Sequence, residues 1–577
     1  MSKLDPETKK IFSKIANTVR DLSMDAVQKA NSGHPGLPLG CAELGAYLYG
    51  HALRHNPKNS KWMNRDRFVL SAGHGSIWLY SLLHLSGFNL SLEDIKNFRQ
   101  FNSKTPGHPE YGMTDGVETT TGPLGQGTGN AAGFALGLKL LEEKFNTPTH
   151  TLFDAKVFCL AGDGDMMEGV SSEVASFAGH LNLNNLICLY DSNHVTLDGP
   201  LDQSCSEDTM ARYRAYGWDV YEIDGYDFDA MHEVISKLRE KQEKPAFILA
   251  HTIIGKGSPH KAGTNKAHGS PLGEEEVAET KANLGLPPED FYIPQAVKTF
   301  FENKLPGEKK LEEEWNETFR KWSLANPELR KEYDAMKNHT LPEDLEAKLA
   351  AIDIKSPEAS RSSSNVVIQT LADLLPQLYG GSADLSGSDK THIDNSPLIA
   401  PDNFSGRNVK FGIREFCMGT VANGFALTHT FTPFVGTFLI FSDYMRNSIR
   451  LACLSKIQVI YHFTHDSFFL GEDGPTHQPI EQVASLRAIP NLHVIRPADN
   501  NEVKMAWYAA LTYNCPTALI LSRQHLRDLP DTNVPFKDGV GRGAYIIRKE
   551  QQKPDYTLFA TGSEVALALD VAEQLDT

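Results

Sequence analysis

Short apolar runs alternate with longer helix-like stretches along most of this chain, and this alternation restricts the possible folds more than any other feature. Between about residues 10 and 300 the candidate strands are RFVLSA, KVFCLAG, NLICLYD and AFILAHT. Runs that are apolar throughout and separated by helices are typical of parallel strands covered by helices on both faces. We therefore predict an α/β fold with a parallel sheet in this part of the chain.

A second region of the same kind begins after residue 361, with candidate strands VKFGI, VIYHFT, LHVIRPA and TALILSR. The charged amphipathic stretches between the two regions predict exposed helices in a connecting segment. A further strand is predicted near Gly543, and the sequence DYTLFATGSEVALALDVAEQL predicts one more strand and one helix. One such unit cannot cover both faces of a parallel sheet. We therefore expect a truncated third α/β domain at this end.

The predicted domains are residues 1–320, a linker over 321–360, residues 361–541, and the start of a third domain over 542–577. The formal net charge of −17 argues against nucleic acid or an anionic membrane as the main partner. The polar N-terminus lacks a signal-peptide core, and no apolar run approaches the ~20 residues of a membrane span. Seven scattered cysteines without a CxxC pair are typical of reduced thiols. We expect a soluble cytoplasmic protein.

The loop GDGDMMEG, residues 162–169, is rich in acids and lies between a predicted strand and a predicted helix. Glycine-rich turns in this position usually bind phosphate, often with a lysine nearby, but this loop carries Asp163, Asp165 and Glu168 instead. Asn193 follows the next predicted strand, and the two strand ends of a right-handed βαβ unit share one sheet edge. Their oxygens suit Mg²⁺ or Ca²⁺, so the loop can bind a cation that binds a diphosphate. An ordinary surface turn is the alternative interpretation.

Six histidines lie in short motifs such as GHP, GHG and THQP, which are typical of loops. Their spacings do not resemble a zinc motif, although metal ligation is the competing interpretation. Hydrogen bonding to a polyhydroxylated substrate and proton transfer fit histidine better here. The six are His34, His74, His108, His268, His465 and His477.

The chain resembles the transketolase family, which depends on thiamine diphosphate (ThDP). GDG followed by an Asn is similar to the ThDP fingerprint, and further matching stretches occur in order from residue 29 to about 526. They are KANSGHPGLPLG, LSAGHGS, TPGHPE, TTGPLGQG, GDGDMMEGVSSEVASFAGHL, GIREFCMG and LGEDGPTHQP. The resemblance implies that the first domain binds the diphosphate of ThDP and the second its pyrimidine. It also implies Mg²⁺ (or Ca²⁺ or Mn²⁺), sugar-phosphate substrates, and a homodimer with active sites at its interface.

The resemblance implies roles for individual residues. The implied metal ligands are Asp163, Asn193 and Val195. The implied contacts to ThDP are His74, Gly122, Leu124, Gly164, Glu168, Asn193, His268, Glu415, Phe438, Phe441 and Tyr444. The implied contacts to the sugar phosphate are His34, His108, His268, Arg361, Ser388, His465, Asp473, His477 and Arg523. The implied catalytic residues are Glu415, His34, His74, His268 and His477.

For Glu415 and for the three aromatics the residues alone suggest another role, and at Ser388 the sequence departs from the family pattern. Glu415 matches the glutamate that hydrogen-bonds a pyrimidine nitrogen of ThDP, although by itself it is typical of an acid at a helix start. The three aromatics of GTFLIFSDYMR have a spacing typical of helix core packing, whereas the family match places them around the pyrimidine. Ser388 lies in ADLSGSDKT, where the family usually has a proline before the serine.

The activity that the resemblance implies is reversible transfer of a two-carbon glycolaldehyde unit in the pentose phosphate pathway. The donor would be a ketose phosphate such as xylulose 5-phosphate or sedoheptulose 7-phosphate, and the acceptor an aldose phosphate such as ribose 5-phosphate. Alternatives are another ThDP ketol enzyme, dihydroxyacetone synthase or deoxyxylulose phosphate synthase, or a non-catalytic truncated homologue. The presence of Asp163 and Glu415 argues against the non-catalytic alternative.

Overall fold

The computed structural model describes residues 3–576, and the chain divides into two compact units, Met1–Pro327 and Glu328–Thr577. The strands of the first unit are β1 (Arg67–Leu70), β2 (Val157–Gly162), β3 (Leu186–Ser192), β4 (Asp219–Asp224) and β5 (Ala246–His251). Its helices are α1 (Pro6–Ala30), α2 (Gly36–Gly40), α3 (Ala42–Tyr47), α4 (Ser76–Leu85), α5 (Leu92–Lys96), α6 (Gln126–Phe145), α7 (Asp163–Met167), α8 (Gly169–His180), α9 (Thr209–Ala215), α10 (Phe228–Glu240), α11 (Glu274–Asn283) and α12 (Gln295–Ala325).

The five strands of the first unit form one parallel sheet in the order β1-β2-β3-β5-β4. All residues of β2 and β3 are buried, as expected for strands covered on both faces. The core lies between this sheet and the helices, where strand residues such as Phe158 and Ile187 belong to the same buried cluster as Phe12 and Trp78. The four predicted strands are confirmed, and the predicted parallel α/β fold with them.

Strand β4 was not predicted from the sequence, because DVYEID carries three acids and does not read as an apolar run. It is the edge strand beside β5, and only Ile223 among its residues is buried. An edge strand has one neighbour and one open side, so polar side chains are tolerated there.

The second unit carries β6 (Glu358–Ala359), β7 (Leu378–Ser382), β8 (Asn408–Lys410), β9 (Thr432–Phe438), β10 (Ile460–Thr464), β11 (His493–Ile495), β12 (Thr517–Ile520) and β13 (His525–Leu526). The remaining helices are α13 (Pro327–Lys337), α14 (Leu345–Ala350), α15 (Ser360–Leu374), α16 (Ser386–Asp389), α17 (Glu415–Ala426), α18 (Ser442–Ser455), α19 (Gln482–Arg487), α20 (Asn500–Thr512) and α21 (Val565–Leu575). Six strands form a parallel sheet in the order β11-β12-β10-β9-β7-β8, and β6 pairs antiparallel with β13.

The four predicted strands of the second unit are present, although VKFGI ends as a strand at Lys410. Strands β7 (LYGGS) and β9 (TPFVGTF) were missed because glycine and proline weaken a strand prediction. At Gly380 of β7 a side chain would overlap the Phe434 ring of β9. The glycine is therefore needed for close packing between these neighbouring strands.

The predicted exposed helices around residues 305–360 are present, but they are not fully exposed. Helix α12 has Trp322 fully buried. Helix α14 buries Leu345 and Leu349 in the core of the second unit. The charged residues of these helices lie mainly on their exposed faces, and their apolar residues pack against the core.

Of the elements predicted near the C-terminal end, the helix is confirmed as α21, whereas the two strands do not form. The stretch YTLFA has no regular secondary structure, and Tyr556 and Phe559 are largely exposed. A strand requires a neighbour for its backbone groups, and no strand of residues 3–576 pairs with this stretch. Among residues 3–576, no helix is both long and apolar enough to cross a bilayer.

Candidate active site

The carboxyl ends of β2 and β3 carry the candidate site residues of the first unit. The two strands are parallel neighbours, with Gly162 opposite Asp191. Asp163 begins helix α7 directly after β2, and Asn193 directly follows β3. The topology therefore brings these two residues to one sheet edge, as the sequence predicts.

Asp163 is the acid of the loop that is available to a cation. Its side chain is buried, and Tyr190 donates a hydrogen bond of 2.5 Å to Oδ1. The other oxygen, Oδ2, is buried without a hydrogen-bond partner. Burial raises the pKa of this carboxyl to about 7, because the charged form has lost its hydration. A buried carboxylate oxygen with no donor suits a hard cation.

The side chain of Asn193 has a fixed orientation. Its Nδ2 donates to Asp191 Oδ2 at 3.0 Å, and its Oδ1 accepts from the backbone N–H of Val195 at 3.1 Å. A carbonyl oxygen has two lone pairs, so Oδ1 can also bind a cation. The side-chain oxygens of Asp163 and Asn193 thus suit a divalent metal, and Val195 adjoins them through its bond to Asn193.

Asp165 has a different role from Asp163 although it lies in the same loop. It is fully buried and accepts from Ser71 Oγ at 2.6 Å, from the Gly125 N–H at 2.7 Å and from the Gly162 N–H at 2.9 Å. These bonds tie together three chain segments that are far apart in sequence. Asp165 therefore holds the loop in place, whereas Glu168 is exposed at the start of α8.

The loop GPLGQG packs against the acidic loop and against a histidine. A side chain at Gly164 would come within 2.7 Å of Leu124 Cδ1, so these two residues are in direct contact. Gly122 has φ +138°, a conformation that favours glycine, and its Cα faces the ring of His108. Three residues with implied ThDP contacts, Gly122, Leu124 and Gly164, therefore lie in adjoining loops.

Four of the six predicted histidines form one cluster in the first unit. The His34 ring centroid lies 5.3 Å from that of His74, 5.9 Å from that of His268 and 6.1 Å from that of His108. The rings of His74 and His268 are stacked at 5.2 Å. Nδ1 of His268 is buried without a hydrogen-bond partner. Such a cluster can hydrogen-bond several hydroxyl groups of one ligand.

These histidines are neutral at physiological pH. Burial, followed by the charge of Arg99, lowers the pKa of His34 to about 4. Burial also lowers the pKa of His74, of His108 and of His268. A neutral imidazole has one donor and one acceptor nitrogen, which is the form that can both bind hydroxyls and accept a proton.

Two residues that contact the candidate site of the first unit were not found from the sequence. Arg99 Nη2 donates to His34 Nδ1 at 3.2 Å and so orients that ring. Tyr190 orients Asp163 through the bond described above. Arg99 lies in no recognisable motif, and the sequence around Tyr190 is typical of an ordinary buried strand. Their contacts with His34 and Asp163 are therefore visible only in the folded structure.

The second unit positions Glu415 as the first residue of α17. The side chain is half-buried, and burial raises its pKa above the usual range for glutamate. Glu415 thus lies at a helix start, a position compatible with both interpretations of this residue. The raised pKa means that this carboxyl takes up a proton more readily than an exposed glutamate does.

The three aromatics of the second unit do not share one helix. Phe438 ends strand β9, Phe441 lies in a 3₁₀ turn, and Tyr444 lies in α18, so the interpretation as helix core packing is wrong. The ring of Phe438 packs on His465 with centroids 3.6 Å apart, and Phe441 lies 5.3 Å from His477. Tyr444 is 67% exposed. The aromatics thus line a surface that includes the two remaining histidines.

A cluster of cationic side chains lies beside this surface. Arg361 Nη1 donates to the Ser388 carbonyl at 2.8 Å and lies 3.5 Å from His465 Nε2. Burial, followed by the charges of Arg361 and Arg523, lowers the pKa of His465 to about 3. Burial, followed by the charge of Arg523, lowers the pKa of Arg361, whereas Asp473 acts in the opposite direction. Two guanidinium groups near each other suit a dianionic phosphate.

Family models match most of the chain. The model "Transketolase, thiamine diphosphate binding domain" matches residues 11–342, and "Transketolase, pyrimidine binding domain" matches residues 357–528. The model "Transketolase-like TK C-terminal domain" matches residues 543–577. The match supports a third domain there, but the expectation that this domain is truncated is not supported. The first two matches support ThDP as the cofactor.

Individual proteins agree with these models. The chain is 49% identical to the transketolase of Halalkalibacterium halodurans, with 97% of this chain and 84% of that protein aligned. It is 49% identical to the transketolase of Bacillus subtilis over 98% of this chain and 86% of that protein. The solved transketolase from Leishmania mexicana superposes with a TM-score of 0.94 at 41% identity, covering 98% of this chain and 84% of the other. These matches show that the chain belongs to the transketolase family and is a transferase with transketolase function.

Proposed function

We propose that this enzyme moves a two-carbon glycolaldehyde unit from a ketose phosphate to an aldose phosphate, as in the pentose phosphate pathway. Xylulose 5-phosphate and sedoheptulose 7-phosphate are the proposed donors, and ribose 5-phosphate is a proposed acceptor. The observation that carries the proposal is the cluster of four neutral histidines beside the GPLGQG and GDG loops. Such a cluster offers donors and acceptors to the hydroxyls of a sugar chain.

The buried, unpartnered Asp163 oxygen supports a metal-dependent cofactor site. Asp163, Asn193 and Val195 would hold a divalent cation, Mg²⁺ or alternatively Ca²⁺ or Mn²⁺, and through it the diphosphate of ThDP. When bound, ThDP supplies the carbanion-stabilising group that carries the two-carbon unit. Gly122, Leu124, Gly164 and the exposed Glu168 would contact the cofactor from their loops. His74 and His268 would contact both cofactor and substrate.

Glu415 would hydrogen-bond a pyrimidine nitrogen and so favour the imino tautomer of the cofactor. Its half-buried position and raised pKa support this role, because burial makes the carboxyl take up a proton more readily and a protonated carboxyl donates a hydrogen bond. Phe438, Phe441 and Tyr444 would pack around the pyrimidine ring. Their partly stacked arrangement beside His477 supports a planar ligand at this surface.

The sugar hydroxyls and the phosphate would be bound by different groups. His34, His268 and His477 would hold the hydroxyls near the reacting carbon and move protons there, and His108 would contact the sugar chain. Asp473 would bind the hydroxyl next to the carbonyl. The proposed phosphate ligands are Arg361, Ser388, His465 and Arg523. Transketolases from Pichia stipitis solved with sedoheptulose 7-phosphate, fructose 6-phosphate and xylulose 5-phosphate support sugar phosphates as substrates.

We also propose a cytoplasmic homodimer with active sites completed at the interface. Exposed apolar side chains near Glu415 and His477, namely Ile413, Tyr444 and Ile480, support a covering partner. The proposed domains are residues 1–320 for the diphosphate, 361–541 for the pyrimidine, the linker 321–360 between them, and residues 542–577 in a third domain. Sedimentation of the purified protein would test the dimer.

The decisive experiment is incubation of the protein with ThDP, Mg²⁺, xylulose 5-phosphate and ribose 5-phosphate. We expect a seven-carbon sugar phosphate that requires both the cofactor and the metal. A donor and acceptor panel compares this reaction with those of other ThDP ketol enzymes. Failure to form the seven-carbon product while another donor or acceptor pair reacts would contradict the proposed substrates.

A further inference from the structure

Asp466 lies directly after His465 and forms a buried ion pair. Arg496 donates from Nε at 3.0 Å and from Nη2 at 2.6 Å to Asp466 Oδ2, and both side chains are almost fully buried. A buried pair of this kind is costly to desolvate and constrains the position of both partners. Neither residue is among those to which a cofactor or substrate contact has been assigned above.

The same carboxylate also reaches the strand end that carries Arg523. Gln524 Nε2 donates to Asp466 Oδ1 at 3.2 Å, and Gln524 directly follows Arg523. His465 has φ +61°, an uncommon conformation for a residue other than glycine. One carboxylate therefore holds the chain next to two of the proposed phosphate ligands, and one of these ligands has an unusual backbone conformation.

Residues 561–564, here called the C-terminal segment, also belong to this network. Arg496 donates to the Thr561 carbonyl at 3.0 Å and to Ser563 Oγ at 2.8 Å, and it pairs with Glu564. Ser563 Oγ in turn donates to Asp466 Oδ2 at 2.9 Å.

The segment is packed closely on the pair. Gly562 has φ +58°, and a side chain there would overlap Arg496. The contact therefore requires a glycine at this position.

We propose that Asp466 and Arg496, with Ser563 and Glu564, form a network that positions the phosphate end of the substrate site. By holding His465 and Arg523 in place, this network makes the affinity for sugar phosphates depend on the C-terminal segment. The four residues act through the phosphate ligands and do not touch the substrate. The inference rests on the proposed role of His465 and Arg523 as phosphate ligands.

The test uses Glu564→Gln and Ser563→Ala in the full chain, since both remove contacts at the rim of the network and spare the buried pair. Asp570→Asn is the matched control. It breaks the ion pair of Asp570 with Arg527, which attaches the following helix α21 and does not involve Asp466. Arg523→Ala serves as the reference for the phosphate role. Thermal unfolding of each variant reports any general loss of stability.

The readout is KM and kcat for xylulose 5-phosphate and, separately, for hydroxypyruvate, which has no phosphate, with glycolaldehyde as acceptor. We expect Glu564→Gln and Ser563→Ala to raise KM for xylulose 5-phosphate roughly 3- to 10-fold, with KM for hydroxypyruvate changed less than about twofold. Asp570→Asn should change neither value. This pattern cannot arise from a merely structural contact.

Equal changes for both donors, or no change for either, would overturn the inference. A phosphate-selective effect of Asp570→Asn as large as that of Glu564→Gln would do the same. If Arg523→Ala lowers phosphate selectivity while Glu564→Gln and Ser563→Ala do not, only the positioning role fails. If Arg523→Ala leaves selectivity unchanged, the proposed phosphate role fails and the inference with it.

Discussion

The pairing of Arg523 with Glu472 allows the proposed phosphate role to be tested in both directions. Arg523 Nη1 lies 2.5 Å from Glu472 Oε1, and the side chains are 35% and 61% exposed. A phosphate that binds Arg523 must compete with this carboxylate. Glu472→Gln should therefore strengthen binding of sugar phosphates, whereas Arg523→Ala should weaken it.

The exposure of the pair determines the two magnitudes. Exposed ion pairs contribute roughly 0.2–1 kcal/mol. At about 1.4 kcal/mol per tenfold, Glu472→Gln should raise kcat/KM for a sugar phosphate roughly 1.4- to 5-fold. A hydrogen bond to a charged group contributes roughly 1.5–3 kcal/mol. Arg523→Ala should then lower kcat/KM roughly 10- to 150-fold, toward the smaller value because solvent reaches the guanidinium.

The assay is the ratio of kcat/KM for xylulose 5-phosphate to that for hydroxypyruvate, with glycolaldehyde as the acceptor in both reactions. Part of the Arg523→Ala effect should appear in kcat, because remote binding energy also orients the reacting end. The double variant completes a cycle. Once Arg523 is removed, Glu472→Gln should have almost no further effect, since its competing partner is absent.

Two results would refute this reasoning. An equal fall in kcat/KM for both donors would mean that Arg523 supports the fold or the cofactor site and does not bind phosphate. An effect of Glu472→Gln that persists in the Arg523→Ala background would mean that Glu472 acts elsewhere.

Three further predictions concern other parts of the protein. Asp163→Asn should weaken ThDP binding in the presence of Mg²⁺, because it removes a charged hard ligand. The measurement is a titration with ThDP, with and without metal, and equal affinity of variant and parent would exclude that role. Glu415→Ala should retain diphosphate binding but slow proton–deuterium exchange at the thiazolium carbon, and exchange at the parent rate would remove Glu415 from activation. Burial, followed by the charge of Asp25, raises the folded-state pKa of Asp21 to about 7, above the unfolded value of about 4. The free energy of unfolding should therefore fall as pH rises from about 4 to 7. Asp21→Asn should lose less stability than the parent between pH 5 and pH 8 in urea unfolding, and parallel curves would contradict the prediction.

The sequence predicted well those features that depend on local patterns. Continuous apolar runs such as KVFCLAG and NLICLYD identify buried strands because both of their faces are covered. Parallel connection of those two strands then places Asp163 and Asn193 at one edge, and the structure confirms this. Strand β4 was not predicted because it carries acids, which an open sheet edge tolerates. Strands β7 and β9 were not predicted because they contain glycine, which close packing between strands requires. Both causes depend on which strands lie next to each other, and the sequence does not show this.

The sequence by itself therefore determined the α/β class, the family motifs and the loops that carry the candidate site. Only the tertiary structure decided which members of those loops are available for chemistry. Asp163 and Asp165 are both buried acids of one loop, yet Asp165 is saturated by donors from Ser71 and Gly125, whereas Asp163 retains a carboxylate oxygen without a donor. The physical reason is that hydrogen-bond satisfaction depends on groups from distant segments, and their positions are defined only when the chain is packed.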